Sequence, residues 1–230
     1  MKTIGLIGGM SWESSALYYR IINETVRNRL AGLRSARIIL YSLDFADIEM
    51  LQRAGDWAAA GRELGETARR LERAGADFVL ICTNTMHKVA DVIAAFIDIP
   101  LLHIADATAE EIKSQGLQRV GLLGTSYTME DDFYRGRLTA LHGLDVQVPN
   151  ERERRVVHGV IYDELCQGIA RQSSREAFRE IMAGLGAAGA QAIILGCTEI
   201  ALLVDSRDTP LPLFDTARIH AEKAVHLALE

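Results

Sequence analysis

The sequence predicts an α/β protein of two similar halves, each a small parallel sheet covered by helices. Three observations carry this. Strand-length apolar segments alternate with helical patterns almost from end to end, which is the pattern of parallel α/β architecture. One segment occurs twice without a gap: Gly75-Ala76-Asp77-Phe78-Val79-Leu80-Ile81-Cys82-Thr83-Asn84-Thr85 lines up against Gly189-Ala190-Gln191-Ala192-Ile193-Ile194-Leu195-Gly196-Cys197-Thr198-Glu199. Val120-Gly121-Leu122-Leu123-Gly124-Thr125 in turn echoes Ile4-Gly5-Leu6-Ile7-Gly8-Gly9, so the halves share their opening strand as well.

Taken in order, Ile4 to Ile7 reads as a strand, Ser14 to Leu30 as a helix, Ile38 to Tyr41 as a strand, and Trp57 to Ala74 as a helix. Phe78 to Ile81 is the next strand, and a helix over about Met86 to Phe96 closes that half. Pro100-Leu101-Leu102-His103-Ile104 starts a short strand feeding a helix near Asp106, and Pro210-Leu211-Pro212-Leu213-Phe214-Asp215 repeats that exit. The inferred domains are residues 1–103 joined by the returning segment 208–230, and residues 104–207. Two such domains related by a pseudo-twofold axis, with chain crossings near Pro100 and Pro210, favour a small-molecule site in the interdomain cleft.

Composition narrows the function. Of 230 residues, 49% are hydrophobic and 24% charged, as in an ordinary globular protein that buries a core. No apolar run reaches the roughly eighteen residues of a membrane span, and the opening residues are too short and Gly-rich for a signal peptide. The expected location is the cytoplasm, with no membrane partner. A net charge of -6 without a basic stripe argues against nucleic acid. Cys82, Cys166 and Cys197 are few and unevenly spaced, so neither a disulfide framework nor a zinc site is expected. The Gly5 to Ser11 turn lacks the G-x-G-x-x-G and G-K-[ST] spacings of phosphate loops, and nothing marks Lys88 as a Schiff-base lysine.

The chemistry gathers at the ends of the repeated strands. Cys197 is a thiol where a strand meets an expected helix start near Thr198-Glu199; backbone N–H groups there favour a thiolate and lower the pKa from about 8.5. The competing reading is a space-filling buried cysteine. Thr83 occupies the matching position, and Thr83-Asn84-Thr85 is either an N-cap cluster or a carboxylate site. Cys82, one residue away on an extended strand, faces the core, and Cys166 has no partner at metal spacing. His87 reads as a surface or neighbour-bonded residue rather than a catalytic base. Thr125 and Thr128 add hydroxyls at the place in the second half that Gly9 to Ser11 occupy in the first.

With Gly8-Gly9-Met10-Ser11, Thr83-Asn84-Thr85-Met86-His87, Leu122-Leu123-Gly124-Thr125, Val160-Ile161-Tyr162-Asp163-Glu164-Leu165 and Gly196-Cys197-Thr198-Glu199 in view, the chain resembles the cofactor-independent aspartate/glutamate racemase family. It is most similar to the enterobacterial L-aspartate/glutamate-specific branch. Members carry Cys-Asn-Thr-x-His in the first half and Gly-Cys-Thr-Glu in the second, with thiols on opposite faces of the substrate α-carbon. Here the first thiol is replaced by Thr83. The resemblance implies a cofactor-free amino-acid racemase, with Cys197 as the base on the L face and Thr83 on the other. It also implies a homodimer, and an acidic amino acid held by Met10, Ser11, Gln52, Asn84, Thr85, Thr125, Thr128, Thr198 and Glu199. A lysine that recognises the side chain in some relatives corresponds to Cys166. Two rivals stay open: a single-cysteine dicarboxylate decarboxylase or isomerase, and a non-catalytic binding protein for acidic amino acids.

Overall fold

The computed structural model describes residues 1–230. It divides into two units, residues 1–104 with 220–230, and residues 105–219.

In the first unit the chain runs β1 (Ile4–Gly8), α1 (Trp12–Leu30), β2 (Ile38–Ser42), α2 (Phe45–Ala54), α3 (Trp57–Arg73), β3 (Phe78–Ile81), α4 (Ala90–Ala94) and β4 (Leu101–Leu102). The strands are all parallel, in the order β2-β1-β3-β4. β1 and β3 are buried along their whole length, which is why they read as continuous apolar runs rather than alternating ones. The two long helices start at local side-chain caps. Ser11 Oγ accepts from the Ser14 N–H at 3.2 Å to cap α1, and Asp56 does the same for Ala59 at 2.9 Å to cap α3. Along α3, Ala60, Leu64, Ala68 and Leu71 recur at helical spacing and form a buried stripe packed with Ile7, Val79 and Ile81. Burying Leu64 and Leu71 stabilises this layer by about 1.5–3 kcal/mol each.

The second unit begins in α5 (Ile104–Ser114) and continues through β5 (Arg119–Gly124), α6 (Ser126–Glu130), α7 (Asp132–His142), β6 (Asp145–Gln147), α8 (Glu151–Asp163), α9 (Gln172–Ala187), β7 (Ala192–Gly196) and β8 (Leu213–Asp215). The last helix, α10 (Thr216–Leu229), starts in this unit, and from His220 onward its residues belong to the first. The sheet order is β6-β5-β7-β8, again all parallel, so the two units share one topology. A reciprocal capping box between Asn150 and Glu153 starts α8. The repeated strands are launched alike: Gly75 has φ 99° and Gly189 φ 102°, a conformation that admits glycine and penalises a Cβ.

Three expectations are revised. The return to the first unit lies at His220 rather than near 208, because β8 pairs in parallel with β7 and holds the intervening segment in the second sheet. The helix expected over Met86 to Phe96 is a 3-10 turn, Thr85–Val89, followed by the single turn of α4. The helix expected at Thr198-Glu199 is a 3-10 turn of only Ile200–Leu202. No helix is long and apolar enough to cross a membrane.

Candidate active site

In each sheet the direction of strand order reverses between two neighbouring strands, β1 and β3 in one unit, β5 and β7 in the other. Loops leaving the carboxyl ends of such a pair diverge and open a crevice, the usual ligand position in open α/β sheets. The predicted polar residues lie at these two ends or just behind them, and they form one constellation in each unit.

In the first unit, β1 ends in Gly8 and the chain turns through Gly9, Met10 and Ser11, with a cis Met10–Ser11 peptide bond. Ser15 Oγ accepts from the Gly9 N–H at 2.8 Å and donates to the Ser11 carbonyl at 3.0 Å, so the turn is tied to the start of α1. Met10 is packed in the core with Ile7, Ile48 and Met86. Gln52, buried on α2, points its amide at Met86 Sδ, 3.0 Å away.

After β3, two side chains that the sequence reading did not assign to the site hold the turn. Ser14 Oγ donates to the Cys82 carbonyl at 2.8 Å, and His87 Nδ1 lies 2.8 Å from the Thr83 carbonyl. Thr83 is half-buried, while Asn84 and Thr85 are buried beside it. Cys82 is fully buried, and burial pushes its thiol pKa far up, in keeping with the core role read from strand alternation. His87 is 3% exposed and bonded to its neighbours, not a surface residue.

In the second unit the strand ends approach closely. A Cβ on Gly196 would lie 2.8 Å from the Leu123 carbonyl oxygen, and one on Gly124 would lie 3.0 Å from the Gly196 oxygen. Glycine at both positions is therefore a packing requirement, and it sets where Cys197 emerges. Thr125 caps α6, taking the Thr128 N–H at 3.3 Å with the two hydroxyl oxygens 3.2 Å apart. Behind them His158 Nδ1 accepts from the Ser126 N–H at 3.2 Å. Burial lowers the pKa of that imidazole, against the opposing pull of Asp163 and Glu130.

Cys197, Thr198 and Glu199 converge on one carboxylate oxygen. Cys197 Sγ donates to Glu199 Oε2 at 3.0 Å, and Thr198 Oγ1 donates to the same atom at 2.6 Å. All three side chains are buried. The thiol is not activated at rest, contrary to expectation. Burial first, then the Glu199 carboxylate, Cys166 and the hydrogen bond to the Glu199 side chain hold its pKa well above the usual thiol value, against only the Glu199 N–H. The physical reason is local: a three-residue 3-10 turn supplies little of the dipole that a full helix would, and the nearest charge is negative. Cys166, half-buried in the turn Leu165–Gln167, is thus within electrostatic reach of Cys197. No group of three or more His, Cys, Asp or Glu is arranged to hold a metal ion.

Residues 7–224 match the model of the Asp/Glu/Hydantoin racemase family. The crystal structure of a Yersinia pestis protein assigned to the Asp/Glu racemases is 56% identical, covers 100% of both chains and superposes with a TM-score of 0.94. An aspartate racemase homologue from Pyrococcus horikoshii OT3 is 37% identical over 100% of both chains, with a TM-score of 0.86. The broad specificity amino-acid racemase RacX of Bacillus subtilis is 25% identical over 158 residues, 69% of this chain and 67% of that protein. With the duplicated sheets and the Gly-Cys-Thr-Glu strand end, these matches give one conclusion: the chain belongs to the Asp/Glu/Hydantoin racemase family, as an amino-acid racemase of that family.

Proposed function

We propose that the protein racemises L-aspartate and L-glutamate without a cofactor, with Cys197 exchanging the α-proton on the L face and Thr83 serving the opposite face. The observation that carries this reading is the convergence of Cys197 and Thr198 on Glu199 Oε2 at the β7 end, with Thr83 at the equivalent end of β3.

The chemistry follows from the protonation states. Cys197 rests as a thiol whose proton already points at Glu199 Oε2. Transfer of that proton gives a thiolate and a neutral Glu199. The thiolate then removes the α-proton of the L-substrate, and the electron pair left on carbon spreads into the substrate α-carboxylate. Hydroxyl and amide groups of Asn84, Thr85, Thr125 and Thr198 are the donors suited to stabilise that charge. Thr83 Oγ delivers a proton to the far face and recovers one from solvent, while Glu199 releases to solvent the proton it took from Cys197, which restores the resting pair; the weaker acidity of an alcohol makes delivery from Thr83 the slow half. Mirror-image substrates have equal free energy, so the slow half retards both directions alike.

The test is incubation of L-aspartate and L-glutamate in deuterated buffer, following α-deuteration and D-isomer formation together. Deuteration is expected to outrun racemisation, and equal rates would remove the asymmetric site. Cys197→Ser is expected to abolish both signals, and survival of either would end the assignment of Cys197.

One observation favours a second reading. A buried thiol held protonated is ready to deliver a proton, which is the step that follows decarboxylation of a malonate-type acid. Turnover of malonate-type or maleate-type acids without α-exchange of amino acids would select it.

A further inference from the structure

We propose that His87 is a positioning residue for Thr83, acting through the Thr83 backbone carbonyl; the inference rests on the reading of Thr83 as the second acid/base. His87 Nδ1 is 2.8 Å from the Thr83 carbonyl oxygen, and the Ile104 N–H points at His87 Nε2 from 3.2 Å. A carbonyl can only accept and a backbone N–H can only donate. These two partners therefore fix the ring as the neutral tautomer with hydrogen on Nδ1. A proton on Nε2 would face another N–H and break the bond to Ile104.

The ring is locked in place by its surroundings. His87 packs against His103 with ring centres 4.5 Å apart and against His220 at 5.9 Å, and all three histidines are buried. His220 is fixed in turn: its Nε2 lies 2.9 Å from the Leu102 carbonyl, so it carries hydrogen there, and its Nδ1 takes the Tyr18 hydroxyl at 2.8 Å. Leu102 and Ile104 are among the last residues before the chain leaves the first unit, and His220 is the residue at which it returns. The cluster thus anchors both ends of that excursion, and His87 alone among the three extends the anchoring to Thr83.

Ser14 completes the support by donating to the preceding carbonyl, Cys82, at 2.8 Å. Two consecutive carbonyls of the turn are thereby held from buried side chains. A proton-transferring hydroxyl must sit within a few tenths of an ångström of its productive position, and supporting bonds of this kind supply that restraint.

Two substitutions separate the bonds of His87. His87→Gln retains an acceptor near the Nε2 position for the Ile104 N–H but removes the donor to Thr83. His87→Asn retains a donor near Nδ1 for Thr83 and removes the acceptor. In deuterated buffer, His87→Gln is expected to lower D-isomer formation from the L-substrates by about tenfold or more while L-face deuteration stays within about twofold. His87→Asn is expected to keep most of the racemisation. Equal loss of both signals in both variants, or wild-type racemisation in a folded His87→Gln protein, would overturn the proposal.

Two measurements need no turnover and separate this inference from the racemase reading. Imidazole nitrogen NMR of the wild-type protein should show His87 with hydrogen on Nδ1; the Nε2–H tautomer or an imidazolium at neutral pH would overturn it. Three-bond couplings to the Thr83 methyl should report a changed side-chain rotamer in His87→Gln and not in His87→Asn. An unchanged rotamer in both would also overturn it, whereas loss of α-proton exchange alone would count only against the racemase reading.

Discussion

Glu199 Oε2 accepts the Cys197 thiol at 3.0 Å, and the same carboxylate is one of the causes that keep that thiol protonated. The carboxylate opposes a resting thiolate and at the same time provides the acceptor through which one can form during turnover. Cys197 and Glu199 therefore act as a single proton-carrying pair in the proposed reaction.

Glu199→Gln removes the base that takes the thiol proton while keeping the shape and an amide oxygen able to accept a hydrogen bond. L-face deuteration at neutral pH should fall by about a hundredfold, the usual order for loss of a positioned base. In the wild type the proton moves within the pair, so the rate should be flat across the neutral range. In the variant the proton must leave to solvent, so the rate should climb with pH. The same substitution should lower the Cys197 pKa by removing the adjacent charge, read from the ultraviolet absorbance of the thiolate.

Thr83→Cys should raise racemisation of L-aspartate and L-glutamate, because a thiol is the stronger acid at the slow face. Both enantiomers should gain equally in kcat/KM, since the equilibrium between mirror images is unchanged. Absence of any gain would mean that position 83 does not serve the second face.

Gly196→Ala should destabilise the second unit by about 1–3 kcal/mol, as overpacking does, because the added methyl meets the Leu123 carbonyl oxygen at 2.8 Å and backbone must move. Activity should fall by more than the lost stability explains, because the residue displaced next is Cys197. Thermal unfolding beside L-face deuteration at a temperature where the variant is folded separates the two effects.

Alkaline stability follows from the thiols. Cys82 and Cys197 both have pKa values raised in the folded protein, chiefly by burial. Their contribution is complete below the unfolded thiol value of about 8.5 and is lost as pH rises above it, by up to about 1.4 kcal/mol per pH unit for each thiol. Chemical denaturation from neutral to alkaline pH should show this decline. Cys82→Ala should make it shallower, while adding a cost at all pH values for the lost packing.

The periodic elements were legible in the sequence because their causes are local. The buried strands β1, β3 and β7 read as apolar runs, α3 as a 3.6-residue stripe, and the matched glycines Gly75 and Gly189 as paired strand entries. The segments after the repeated strands differ from what their sequence pattern predicts. Thr85–Val89 and Ile200–Leu202 have capping residues and apolar spacing compatible with α-helix, yet both form 3-10 turns. The pairing of β8 with β7, which keeps the chain in the second sheet until α10, was hidden because a three-residue strand carries almost no pattern of its own.

The position of Thr83 opposite Cys197 in the repeat, and hence the choice of candidate acid/base residues, was determined by the sequence alone, because an ungapped duplication places equivalent residues at equivalent strand ends. Tertiary structure alone decided the rest: His220 joins the buried His87 and His103 rings from the far end of the chain, and burial beside Glu199 pushes the Cys197 thiol pKa up rather than down. Hydrogen-bond partners and pKa values depend on burial and on which charges arrive through space, and neither quantity is carried by the order of residues along one strand.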